Sequence, residues 1–128
     1  MKLLFDTQLL LWAAGQPDKL SDAARELIEA PQTEPMFSAA SLWEIVIKHG
    51  LGRSDFRVEP HQFRRGLLDN GYLELAVDGR HALALMDLPP LHKDPFDRIL
   101  LAQAIAEGIP LVTADAVLAA YPGPVQRV

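Results

Sequence analysis

The chain contains no cysteine, which excludes a disulfide framework, a thiolate nucleophile and any zinc site built on sulfur. That absence fits the reducing cytoplasm, where we expect the protein to work. Long hydrophobic runs are missing as well. The opening MKLLFDTQLLLWAAG is apolar but broken by Asp6, and nothing approaches the roughly 18 uninterrupted apolar residues of a membrane span. We read neither a signal peptide nor a transmembrane helix, and expect no membrane partner. Positive charge is scarce: twelve Lys and Arg face seventeen Asp and Glu, a net charge of −5 with a pI near 5.2. Such a chain cannot hold nucleic acid by a broad basic surface, so any nucleic-acid role must rest on a local site, a metal or a partner. No internal repeat, low-complexity tract or dividing linker interrupts the sequence.

What remains is ordinary globular material, 49% hydrophobic and 23% charged over 128 residues, enough for one sizeable core and read here as a single domain over residues 1–128. Lys2 to Phe5 reads as a short apolar strand ending at Asp6, and TQLLLWAAG as a helix stopped by Gly15. A turn over Pro17–Leu20 leads to a helix from Ser21 that ends before Pro31. The run from Pro35 through Ala40 suggests a buried strand, followed by a helix from Ser41 closed by Gly50 and Gly52. After a polar loop, residues 60–71 form a helix, YLELAV alternates like a strand, and Gly79–Asp87 form a short helix before Pro89-Pro90. A long helix to Gly108, the strand IPLVT, a short helix over Ala116–Tyr121 and an edge strand over Pro124–Val128 complete the chain. Strands alternating with helices predict an α/β fold of three layers, α/β/α, with a central, mostly parallel sheet of four to five short strands. Sites in such sheets gather beyond the carboxyl ends of the strands.

The acids are where this pattern carries chemistry. In LHKDPFDRILLAQA, Asp94-Pro95 already makes a good N-cap and first-turn pair. Asp97 is then surplus, and on a helix from Pro95 it shares the stripe of Leu100, Leu101, Ala104 and Gly108, the side that should face the core. Glu44 repeats the anomaly on the stripe of Ala40, Ile47 and Leu51. Asp6 and Asp115 each follow a strand. Capping is the bland reading for all four, with Glu44 at capping-box spacing from Ser41. It weakens for the set, because Asp94 already caps and neither Glu44 nor Asp97 needs a core-side position for that purpose.

If Asp6, Glu44, Asp97 and Asp115 converge, each like-charge pair at roughly 4 Å repels by about 4 kcal/mol at an effective dielectric near 20. A divalent cation relieves that. With carboxylates as the only ligands, the ion should be hard, Mg²⁺ or Mn²⁺ in preference to Zn²⁺, able to position and deprotonate a water for attack on a phosphodiester.

The strings FDTQLLLW, SAASLWEIVIK, LPPLHKDPFDRILLAQA and LVTAD, in this order and spanning nearly the whole chain, closely resemble the PIN domains of VapC-type toxins from bacterial toxin–antitoxin pairs. The resemblance implies a PIN-like fold, a Mg²⁺- or Mn²⁺-dependent endoribonuclease acting on RNA, dimerisation, and inhibition by a cognate, VapB-like antitoxin. Carried over by residue, the motif acids are Asp6, Glu44, Asp97 and Asp115, with Asp94 the cap. Gln8 is a departure, because relatives often have histidine after Asp-Thr; it excludes proton transfer at that position.

Other residues take lesser expectations. Thr7 and Thr113 flank the proposed site and either orient groups there or satisfy backbone. Lys48, one turn after Glu44, either receives phosphate or makes a surface pair. Arg98, and Arg64 and Arg65 in HQFRRG, guide RNA or lie on solvated faces. His49, His61, His81 and His92 share no ligand spacing and read as surface or turn residues, and Trp12 and Trp43 as core. The apolar first two helices are the candidates for a dimer face. A phospho-accepting signalling domain would want an acidic pair after the first strand and a lysine after a late one, and a phosphatase a second acid at position 8; neither is present. A catalytically silent binding module remains the rival class, and it predicts no effect of metal or of the acids.

Overall fold

The computed structural model describes residues 1–128. Five strands form one sheet, all neighbours parallel: β1 (Lys2–Phe5), β2 (Glu34–Ser38), β3 (Leu73–Leu75), β4 (Leu111–Thr113) and β5 (Val125–Arg127), in the order β3-β2-β1-β4-β5. Strand β1 is central, and its run Leu3-Leu4-Phe5 is buried on both faces, as a strand covered by helices on each side requires. Successive side chains point to opposite faces. Leu3 and Phe5 therefore enter one core with Leu9, Leu10, Ala24, Phe37, Ile45, Phe63 and Val112. Leu4 enters the other, with Met36, Leu100, Leu101, Ala104, Leu111, Leu118 and Tyr121.

The first core is closed mainly by α1 (Thr7–Gly15), α2 (Asp22–Glu29), α3 (Ala39–Gly50) and α4 (Pro60–Asp69). The second is closed by α6 (Pro95–Glu107) and α7 (Ala116–Ala119), with α5 (Gly79–Ala84) packed along α6. These are the three layers expected. No helix is long and apolar enough to cross a membrane. The long helix α6 stops at Gly108, whose φ of +69° lies in the left-handed region that a glycine reaches without a Cβ penalty.

Several elements are shorter than expected, YLELAV pairing only over Leu73–Leu75 and IPLVT only over Leu111–Thr113, and the junction of β2 and α3 moves. Strand β2 ends at Ser38, and α3 begins at Ala39 with Ser38 as its N-cap, the hydroxyl accepting the Ala40 N–H at 3.0 Å. Ser41 is thus inside the helix, buried, with its Oγ accepting from the Thr7 hydroxyl at 2.8 Å. This removes the capping-box reading of Glu44. It also turns α3: Ser41 and Ile45 face the core, whereas Ile47 and Leu51 are 43% and 64% exposed. Glu44 therefore lies on the flank of the helix, beside the core face and not on it.

The chain passes from β1 to β2 on one side and returns to β4 on the other, so strand order reverses between β1 and β4. At such a reversal the loops after the two strands diverge and leave a crevice at the carboxyl ends.

Candidate active site

That crevice collects the acids. Asp6 ends β1 and caps α1, its Oδ1 accepting the Leu9 N–H at 2.9 Å. Asp115 follows β4 and caps α7, its Oδ1 accepting the Val117 N–H at 2.8 Å. Glu44 reaches in from α3 and Asp97 from the first turn of α6, whose cap is Asp94, 2.8 Å from the Phe96 N–H. All four, with Asp94, line one cleft of about 350 Å³ that also takes in Thr7, Gln8, Trp12 and Lys48. A larger groove, about 630 Å³, runs between α1, α2 and α4 and is lined by Leu11, Leu20, Ile28 and Phe63. Its charged residues, Arg25, Glu29, Arg57 and Glu59, are balanced in sign, whereas the smaller cleft concentrates carboxylates and holds the raised Asp97, so the smaller cleft is the candidate for chemistry.

Electrostatics distinguish the four acids. Asp6 is buried, and burial pushes its carboxyl up; the Thr113 hydroxyl and the Leu9 N–H oppose this, and the charges of Asp115 and Glu44 add to it. Burial also raises Asp97, helped by the Asp94 charge, opposed by His92 and raised further by Asp6 and Glu44, to about 7. Asp115 sits more openly: partial burial raises it, but hydrogen bonds from His92, Val117 and Leu118 outweigh that and hold it below the ordinary aspartate range. The one cation on the cleft wall, Lys48, is 3.1 Å from Glu44. A single ammonium leaves four carboxylates, Asp6, Asp94, Asp97 and Asp115, to share the cleft. The donor set is oxygen, the groups are crowded enough to resist ionising together, and added positive charge would relieve them: this is a fit for a hard divalent cation. Asp6, Glu44, Asp97 and Asp115 are the residues that could hold it.

The residues of lesser expectation divide. Thr113 is fully buried; its hydroxyl donates to Asp6 Oδ2 and accepts the Asp115 N–H at 3.0 Å, tying two acids on adjacent strand ends together. Thr7 instead braces α1 against α3 through Ser41. Arg98 turns back to the Pro89 carbonyl at 3.3 Å and the Tyr121 hydroxyl at 3.4 Å, so it fixes the loop before α6. Arg64 pairs with Glu74 at 2.7 Å across an exposed surface.

Three readings are corrected. Trp43 is not core: it is 64% exposed, packed edge-on against Phe96 with ring centroids 5.2 Å apart. His81 is buried, held between the Asp78 N–H at 3.0 Å and Glu107 at 3.0 Å. His92 contacts two of the cleft acids. Its Nε2 lies 3.1 Å from Asp97 Oδ2 and 3.2 Å from Asp115 Oδ2, and the three ligand-type atoms fall within 4.8 Å of one another. The signal available in the sequence was position: a histidine two residues before a capping aspartate can fold its Nδ1 onto that residue's N–H, which aims the far side of the ring at the helix's first turn.

Comparison with known proteins agrees with this architecture. The PIN domain family model matches residues 3–124. Among solved structures, VapBC2 from Rickettsia felis bound to a DNA fragment from their promoter superposes with a TM-score of 0.73 at 17% identity, covering 99% of this chain and 98% of that one. A toxin–antitoxin complex from Klebsiella pneumoniae gives 0.65 at 19% identity, covering 98% and 99%. VapBC-1 from nontypeable Haemophilus influenzae gives 0.56 at 17%, covering 90% and 87%. At these identities the likeness is one of fold. No curated protein matches the chain in sequence.

Proposed function

The chain belongs to the PIN domain family, and from that premise we propose that it is a Mg²⁺- or Mn²⁺-dependent endoribonuclease, the toxin of a toxin–antitoxin pair, with Asp6, Glu44, Asp97 and Asp115 as its metal-holding residues. The observation that carries the reading is the convergence of these four acids, from four separate segments, on one cleft where Asp97 is pushed up to about 7. An acidic cleft in a chain of net charge −5 repels a phosphodiester unless positive charge is brought to it. When bound, a divalent cation supplies that charge and the Lewis acidity that acidifies water and polarises phosphate. The chain's own groups do the rest. Thr113 fixes the Asp6 carboxylate, the α7 N-terminus and His92 fix Asp115, and Lys48, 3.1 Å from Glu44, would offer its ammonium to a phosphate oxygen. Water is the nucleophile, not the ribose hydroxyl, so the products carry 5′-phosphate and 3′-hydroxyl ends.

A nuclease of this kind endangers its own cell, so control belongs to the proposal. A VapB-like antitoxin segment would cover the cleft, placing an Arg or Lys where metal or phosphate binds, and the active unit would be a homodimer. The fold shared with a solved toxin–antitoxin complex and with VapBC2 supports the antitoxin partner. The test is cleavage of total RNA by the purified chain with Mg²⁺ or Mn²⁺, with EDTA, and with Asp6→Asn or Asp97→Asn. Cleavage only in the metal-supplied wild type is expected; equal cleavage in every arm overturns the proposed mechanism, and no cleavage in any arm overturns the nuclease reading in favour of a silent binding module.

A further inference from the structure

His92 has no role in the set of acids, yet its ring nitrogen lies within 3.2 Å of two of their carboxylates. Resting on the metal-nuclease reading of the cleft, we propose that His92 is a positioning residue: an imidazole whose Nε2–H hydrogen-bonds the Asp115 carboxylate and lies against the Asp97 carboxylate at one edge of the cleft, and which itself stays off the metal.

The argument is one of tautomers. The Asp94 backbone N–H lies 3.1 Å from His92 Nδ1. A backbone N–H can only donate, so Nδ1 must present its lone pair, and the proton of the neutral ring sits on Nε2. At the other side of the ring Nε2 meets two acceptors, Asp97 Oδ2 at 3.1 Å and Asp115 Oδ2 at 3.2 Å. A lone pair there would oppose the Asp115 oxygen, which accepts a hydrogen bond from Nε2–H, while Asp97 Oδ2 lies at contact distance beside it. Each contact thus demands the same tautomer.

The ring has little freedom to choose otherwise. The His92 backbone N–H donates to the buried Tyr121 hydroxyl at 2.7 Å, and the side chain is only 17% exposed. The loop before α6 is thereby pinned to the end of α7, and the imidazole bridges the acid of α6 to the acid that caps α7. A ligating imidazole is the competing role, because the three atoms are close enough to share an ion. It would require the Nε2 lone pair, hence the Nδ1–H tautomer, hence loss of the Asp94 contact. The geometry favours a centre whose protein ligands are all oxygen, with His92 orienting two of them. Groups that orient metal ligands in this way are worth about 10–100-fold in metal affinity.

Two measurements decide it. Long-range ¹H–¹⁵N NMR of the metal-free chain at neutral pH should report Nε2 protonated and Nδ1 bare for His92. Mn²⁺ titration should show His92→Ala binding about 10–100-fold more weakly, with His92→Gln, which can present an amide N–H near the Nε2 position, recovering most of the loss. Electron spin-echo envelope modulation of the wild-type Mn²⁺ complex should show no directly bonded nitrogen. An Nδ1–H or doubly protonated ring, a directly bonded nitrogen that disappears in His92→Ala, or unchanged affinity in His92→Ala would each overturn the proposal. If His92→Ala fails to fold, the NMR and spin-echo spectra of the wild type still decide. A wild type that shows the Nε2–H tautomer but binds no Mn²⁺ removes the nuclease reading while the carboxylate clamp stands.

Discussion

Replacing Asp97 by Asn isolates the electrostatic tension of the metal-free cleft. The folded carboxyl is pushed up to about 7, first by burial and then by the Asp94 charge, from an ordinary value of 3.8. A raised acid favours the folded state where it is protonated. Its contribution is complete below the unfolded value and is lost as pH climbs through the folded one. A shift of about three units is worth about 4 kcal/mol over the whole window. Some 60% of that window, about 2.5 kcal/mol, falls between pH 5 and 8. The side chain is 19% exposed at the mouth of a cleft, so solvent screening reduces this to about 1 kcal/mol. Asparagine has the same shape, keeps an acceptor for His92 and does not titrate. In EDTA, Asp97→Asn should therefore gain on the wild type by about 1 kcal/mol between pH 5 and pH 8, or about 4 °C in melting temperature for a chain of this length. Urea unfolding at both pH values is the assay. Mn²⁺ should reverse the ranking, since an ion at a hundred times its Kd stabilises the wild type by about 2.7 kcal/mol and the variant by less. Parallel stability curves for the two proteins from pH 5 to 8 would refute the account of the cleft as a site of suppressed ionisation.

Further outcomes follow from single contacts. Thr113→Val removes the donor to Asp6 and the acceptor of the Asp115 N–H, and should cost about 1–3 kcal/mol by chemical denaturation. Asp94→Ala removes the cap of α6, costing about 1 kcal/mol; RNA cleavage should fall far less than in Asp97→Asn, and an equal fall would make Asp94 a ligand. Gly108→Ala forces a Cβ into a backbone with φ of +69° and should lower stability by about 1 kcal/mol, with no effect on cleavage per folded molecule.

Where sequence and structure agree, the reason is that one local pattern met no competitor. Leu3-Leu4-Phe5 is an uninterrupted apolar run that only a strand buried on both faces accommodates, and Asp94-Pro95 with Gly108 brackets α6 with a cap at one end and a left-handed stop at the other. The start of α3 was less legible because Ser38 and Ser41 are both good N-cap residues. The choice falls to a tertiary contact, the hydrogen bond from Thr7 that takes Ser41 into the core. Once that helix is read from the wrong serine, its faces rotate too. Trp43, Ile47 and Leu51 looked inward and are exposed, because apolar side chains on a helix carry no label separating core from surface patch.

The cleft divides along the same line. Asp6 and Asp115 were legible as strand-end acids, since any parallel sheet sets the residues after β1 and β4 at one edge; that the two strands are neighbours at the reversal of strand order is a property of topology alone. Asp97 was legible as a cost, a carboxylate on the stripe of Leu100, Leu101 and Ala104. His92 was not, because its place depends on Tyr121, 29 residues later in the chain. A loop residue acquires a role only when something distant holds the loop still. The acids announce themselves because charge in apolar company is expensive wherever the chain puts it, whereas an imidazole that orients them leaves only a positional hint, its place two residues before the capping Asp94. Residues that arrange a metal centre without bearing its charge have to be found from three-dimensional contacts, and His92, with one nitrogen on a backbone N–H and the other between two carboxylates, is such a residue.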